Sequence, residues 1–284
     1  MNKLFNEKFN WEVERHPVTF ERNGALITDP NYMVLSRNDN NQVLSVMSKK
    51  YCPMSVSEFE DATHRMQEVS GMELMGFQEF NEGKILLSIL KNGSPLEVNS
   101  YPIEDYLVMG TSFNGEQPFF IGTSTILIRC QNSFSHIHPF SRTRHTLHSF
   151  DRREVALKNL ETYFTDRKHL YTKFEEMQMV EVDEEEKLLF VNRILPLPEG
   201  KVEEEVSMRT INRRTTLMEC IKGETDELGN NVFGLFQGLT KFTTHMLTTR
   251  KEAPFGNLIG TANDLNQKGY QYALNKIQPS FHLS

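Results

Sequence analysis

Turn signals cut the first 130 residues into short apolar runs, and that spacing limits the fold more than any other feature. YMVLSR (32–37) and QVLSVMSKKY (42–51) flank Asn-Asp-Asn-Asn, a strong hairpin signal. ELMGFQEF (73–80) and KILLSILKNG (84–93) meet across Asn81-Glu82-Gly83, and DYLVMGTSF (105–113) joins PFFIGTSTILIRC (118–130) through Asn114-Gly115. Strands paired by successive hairpins run antiparallel, which disfavours a doubly wound parallel sheet. One helix interrupts them. SVSEFEDATHRMQEV (55–69) puts Phe59, Ala62, Met66 and Val69 at helical spacing, with Ser55 and Glu58 as a capping box and Gly71 as the stop.

Near residue 150 the apolar period changes from sheet-like to helical. Asp151 with Glu154 would cap a helix running to about 177 that buries Val155, Leu160, Tyr163, Phe164 and Phe174. DEEEKLLFVNRIL (183–195) begins with acids at the positive helix end and stops before Pro196. After the linker LPLPEG, helical patterns follow over 203–223, ending in Gly223, and over 231–250, with another near the end of the 257–277 stretch. The expected class is α+β. Residues 1–148 form an antiparallel sheet region with one helix, and 149–284 form a helical region packed on it as one compact unit.

A chain of 284 residues with 38% hydrophobic content can bury a substantial core. Its longest apolar runs fall well short of a membrane span, and the N-terminal stretch lacks the apolar segment of a secretory signal. A cytoplasmic setting without a membrane role is expected. Cys52, Cys130 and Cys220 are odd in number and form no CxxC pair, so they read as reduced thiols. The net charge of −7 argues against a general polyanion binder, but the charge is segregated. Residues 129–173 carry nine basic and four acidic groups, whereas 174–206 carry three and eleven.

The basic island opens with RCQNSFSHIHPFSRTRHTLHSFDRRE (129–154), where four of the nine histidines fall within 136–148. His136, His138, His145 and His148 suggest a metal, yet no Asp or Glu lies between 130 and 150, and Arg142 and Arg144 would repel a dication. No metal and no cofactor are expected. Nucleophile elbows, Cys-His pairs and phosphate-loop fingerprints are absent, so the motif census argues against an enzyme and assigns no catalytic residue. Gly234 and Gly238 sit four apart in a helical pattern, where close packing is the simpler use.

Anion binding fits this stretch better. Arg142, Arg144, Arg152 and Arg153 bracket an expected helix start, whose free N–H groups also favour phosphate. Phe140 and Phe150 interleave with them as stacking platforms for single-stranded nucleic acid. His145 belongs to the same group, and Lys49, Lys50, Arg213 and Arg214 are secondary candidates. The bland alternative is a solvated basic face paired with the acids of 175–186.

The segment ILIRCQNSF followed by RTRHT resembles the phage/plasmid-like family of proteins of unknown function, which show Arg, Cys and Asn after a strand and then Arg-His-Thr. Here these are Arg129, Cys130, Asn132, Arg144, His145 and Thr146. The VLSRNDNNQVLSVMSKKY hairpin and NVFGLFQGLTKFTTHMLTTR are similar to other parts of the same family, so the resemblance covers roughly 30–275. Phe233-Gly234-Leu235-Phe236 departs from its usual tryptophan and Asn-Ala pair. The resemblance implies a mobile-element origin and a bacterial host cell. The order of sheet then long helix is also similar to that of Rad52-type single-strand annealing proteins, by fold analogy alone.

These readings converge on a non-enzymatic, DNA-binding protein of replication, recombination or repair. It would favour single strands over duplex and assemble as a homo-oligomer. Arg129 would sit at a sheet end, held by Asn132. The rival is an interaction module, such as an inhibitor of a host defence factor, using its acidic stretches at 175–186 and 203–205 as a DNA mimic on a host or phage protein.

Overall fold

A computed structural model describes residues 6–98, 101–127, 132–137, 143–146, 160–202, 205–247 and 260–278. The fold is α+β, with antiparallel strands in the first half and helices mainly in the second. Two compact units interleave along the chain rather than meeting at one cut. The first comprises 1–94, 105–123 and 137–164, and the second 95–104, 124–136 and 165–284.

In the first unit, β1 (Val13–Arg22), β2 (Ala25–Arg37) and β3 (Val43–Ser48) form a sheet in the order β1-β2-β3. Asn23 and Gly24 both have positive φ, 54° and 76°, and make the two-residue turn that sets Arg22 opposite Ala25. The sequence reading missed β1 and the first half of β2. Residues 19–28 are exposed on both faces, so their sequence shows no apolar-polar alternation. Further along β2 the alternation returns, with Met33 and Leu35 buried and Tyr32 exposed.

The expected helix is α1 (Val56–Ser70), and its capping box is present: the Glu58 N–H donates to Ser55 Oγ and the Ser55 N–H to Glu58 Oε2. A cap absent from the local sequence adds to it. The Glu12 carboxylate accepts from the Val56 and Ser57 N–H groups at 3.0 and 2.7 Å, so all four orphan donors of this helix are met by side chains. Gly71 closes the helix at φ 66°.

β4 (Glu73–Phe80) and β5 (Ile85–Lys91) form the expected hairpin, turned by positive φ at Asn81, Glu82 and Gly83. Residues 106–112 of β7 (Tyr101–Ser112) then pair with β5. Trp11, Leu35, Phe59, Phe77, Leu86 and Phe113 centre the core. Arg37 lies over the Trp11 ring at 4.2 Å and donates to Asp39 and Glu79, holding the Asp39 carboxyl below its ordinary value.

In the second unit, β6 (Leu96–Val98) pairs with residues 101–103 of β7, which starts four residues earlier than expected. The path of the larger sheet is completed by β8 (Phe120–Leu127) and β9 (Asn132–Ile137). Helices α2 (Leu160–Gln178), α3 (Glu184–Ile194), α4 (Met208–Leu228), α5 (Val232–Lys241) and α6 (Thr261–Ile277) supply the core around Phe174, Phe190, Leu217, Phe233 and Phe236. The expected start of α2 at Asp151 lies outside the described residues. Gly223 does not end α4, contrary to expectation. The helix continues to Leu228, and Gly229, at φ 99°, follows it. α5 gives way to a π-helical turn at Phe242–Met246 rather than running on to 250. Gly234 and Gly238 serve close packing: a Cβ at 238 would lie 2.4 Å from Ile221 Cα, and one at 234 would lie 2.6 Å from the Gly229 carbonyl oxygen.

Candidate nucleic-acid interface

Residues 143–146 are stitched into the first unit from two sides. Thr143 exchanges both backbone hydrogen bonds with Phe119, at 3.0 and 2.8 Å. Thr146 forms an antiparallel bridge with Tyr51, and the Cys52 N–H donates to the His145 carbonyl at 3.1 Å. The segment therefore alternates as a strand does: Thr143 and His145 are buried, Arg144 and Thr146 are exposed. The Arg-His-Thr motif divides accordingly into an inward anchor and outward groups.

The anchor is well packed. The His145 ring meets the Tyr51 ring edge-on, with centroids 5.3 Å apart, and its Nε2 lies 3.4 Å from Thr111 Oγ1. Tyr51 donates its hydroxyl to the Ser112 carbonyl at 2.8 Å, and burial pushes its phenol up to about 12. His145, expected among the anion-contacting residues, is only 5% exposed and packs inward.

The same bridge gathers cations. Lys49 and Lys50 occupy the turn directly before Tyr51, where the Lys49 N–H donates to the Asn31 carbonyl at 2.8 Å and the Tyr51 N–H to the Ser48 carbonyl at 2.8 Å. Arg15, on β1, brings its Nη2 to 4.0 Å from Cys52 Sγ. Arg15, Lys49, Lys50 and Arg144 are all exposed, and among the described residues none has a carboxylate within salt-bridge reach. Tyr32, 49% exposed, lies opposite Ser48 and one residue from the Asn31 carbonyl that holds Lys49. Among the described residues these four cations lack a carboxylate partner and can hold phosphates, and Tyr32 is an exposed ring near the Lys49 turn that can stack a base.

Sequence reasoning had three of these four cations and missed Arg15 and Tyr32. Arg15 belongs to the strand that was not foreseen. Tyr32 was legible from the alternation of β2, since buried Met33 and Leu35 put it on the opposite face. Arg142, Arg152, Arg153, Phe140, Phe150, Arg129 and Cys130 lie outside the described residues, and Asn132 opens β9.

Arg213 and Arg214 belong to the second unit. Arg214, a secondary candidate for phosphate contact, is buried and donates to the Leu195 carbonyl and, at 2.5 Å, to Asn192 Oδ1. Three of the acids expected to form a DNA-mimicking face have partners within the unit. Glu176 pairs with Lys173 and Glu184 with Lys187, while Glu186 takes Lys276 and the Tyr272 hydroxyl. Among the described residues no group of three or more His, Cys, Asp or Glu could hold a metal ion, and no helix is long and apolar enough to cross a membrane.

No protein of curated function and no solved structure matches the chain. The family described as Domain of unknown function (DUF932) matches residues 43–261, a stretch that includes both sides of the Tyr51–Thr146 bridge. With well over half of its length matched, the chain belongs to the DUF932 family.

Proposed function

We propose that this protein binds single-stranded DNA without catalysing a reaction on it, through the surface built on Arg15, Lys49, Lys50 and Arg144. The carrying observation is the in-and-out alternation of residues 143–146, which buries Thr143 and His145 and displays Arg144 beside the Lys49–Lys50 turn. Exposed cations with no carboxylate to offset them repel one another, and a polyanion relieves that repulsion by replacing its own counterions. Arg144 adds a planar fork suited to phosphate oxygens. Tyr32 supplies the π-face that an unpaired base can stack on and a paired base cannot reach, which favours the single strand.

The setting that fits this reading is a phage or plasmid in a bacterial cytoplasm, with a role in replication, recombination or repair. Rad52-type annealing is the specific form suggested by the order of sheet and helices, and it entails a homo-oligomer. Glu176, Glu184 and Glu186 pair with lysines of the same unit, which offsets part of the acidic surface that the rival DNA-mimic reading would use. Fluorescence anisotropy with labelled single-stranded and duplex oligonucleotides of one sequence tests the proposal. Tighter binding of the single strand is expected. Equal affinity for duplex would remove the strand preference, and no binding to either would remove the function.

A further inference from the structure

We infer that the second unit carries a separate binding site for a nucleotide phosphate, in two cavities that share Pro196 as a common wall. The first, of about 270 Å³, is lined by Arg209, Thr210 and Arg213 of α4 and by the turn from Leu195 to Pro198. The second, of about 420 Å³, is lined by Arg193 of α3 and by Lys268, Gln271, Tyr272 and Asn275, which recur at helical spacing along one face of α6. Together they reach the size of ordinary small-molecule sites.

Among the described residues neither lining holds a carboxylate, and Arg193, Arg209, Arg213 and Lys268 have no acidic partner. Arg209 and Arg213 stand one turn apart on α4, a like-charged pair that weakens the helix unless an anion lies between them. Arg213 Nε is fully buried and has no hydrogen-bond partner. Arg213 also lines the first cavity, where its guanidinium can meet a phosphate oxygen. The Ser207 hydroxyl caps α4, so the first turn adds its positive end to the same cavity. Arg214, spent on Leu195 and Asn192, fixes the turn carrying Pro196 and is a positioning residue.

The second cavity supplies recognition beyond charge. Gln271 Nε2 donates to Asn275 Oδ1 at 3.3 Å, which leaves the Gln271 carbonyl and the Asn275 amide as an acceptor and donor side by side. That pair suits the edge of a base, with the phosphate across Pro196 on Arg209 and Arg213. The phosphate can come from a free nucleotide or from a phosphodiester of a strand.

Calorimetric titration of the full chain with thymidine, thymidine monophosphate and a short oligothymidylate tests this. The monophosphate should bind, thymidine should not, and R209Q/R213Q should weaken binding about tenfold for each arginine removed. Loss confined to the oligothymidylate would assign the phosphate to a strand and still support the site. Binding of both phosphate ligands unchanged in R209Q/R213Q, or thymidine binding as tightly as its monophosphate, would overturn it. The variant should keep its melting temperature, since the substitutions remove a repulsion. A chain carrying R15Q/K49Q/K50Q/R144Q retains this site whether or not the first unit binds DNA, so the two proposals fail separately.

Discussion

Replacing Gly238 with alanine separates packing from helix propensity more sharply than any other change in this molecule. On propensity alone Gly→Ala inside a helix stabilises by about 1 kcal/mol. At 238, however, the added Cβ would meet Ile221 Cα at 2.4 Å, its backbone nitrogen at 2.8 Å and Cγ1 at 2.9 Å. Two of these are backbone atoms of α4, which cannot rotate away, so α4 and α5 must part by roughly 1 Å to restore ordinary contact. Overpacking of this kind costs about 1–3 kcal/mol, and a backbone clash belongs at the upper end. The net expectation is a loss of about 2 kcal/mol, which lowers the melting temperature by roughly 4–8 °C in a domain of this size. Gly223 is the internal control. It lies in α4, and its Cβ would meet nothing nearer than Lys241 Nζ at 3.8 Å. G223A should therefore raise the melting temperature by about 2–4 °C. Thermal denaturation followed by far-ultraviolet circular dichroism reads both signs. A G238A chain as stable as G223A would refute the reasoning, because propensity would then account for both.

Other consequences follow from the same coordinates. Burial raises the Tyr51 phenol to about 12, so the folded chain keeps a proton that the unfolded chain loses near the ordinary tyrosine value. The stability tied to Tyr51 is thus fully present below about pH 10 and is lost as pH climbs towards about 12. Denaturant midpoints across that window should fall less steeply in Y51F than in the parent chain, and parallel slopes would contradict the assignment. Glu12→Ala strips two caps from α1 and should cost about 1–2 kcal/mol in urea unfolding, whereas an unchanged midpoint would mean that water replaces the carboxylate at no cost.

Features fixed by local chemistry were legible from sequence. The 73–91 hairpin, the Ser55–Glu58 box and the acidic start of the helix after 183 each rest on a few adjacent residues whose geometry admits little else. What escaped depends on distant partners. The β1–β2 ribbon is exposed on both faces where it leaves the sheet, so burial left no pattern in its sequence, and only Asn23-Gly24 marked it. Gly223 read as a stop because glycine sequence does not reveal φ, and Gly229 is the residue with the positive value. His145 and Arg214 were counted with the surface cations because polarity implies exposure until a partner is known. Their partners, Thr111 with Tyr51 and Leu195 with Asn192, lie well away in the chain. The cluster at Tyr51 has the same origin: Lys49 and Arg144 are far apart in sequence and are joined by one bridge.

The salt dependence of single-strand binding tests the central claim most directly. If Arg15, Lys49, Lys50 and Arg144 each neutralise a phosphate, the logarithm of affinity falls linearly with the logarithm of salt, and each lost contact takes about 0.7 from the slope. R15Q/K49Q/K50Q/R144Q should therefore bind more weakly and lower the slope by about 3, with little change in melting temperature because exposed charges contribute little to stability. Tyr32→Ala should weaken binding with the slope nearly unchanged, since stacking releases no ions. A four-residue variant that binds the same oligonucleotide with the parent's affinity and slope would contradict the account.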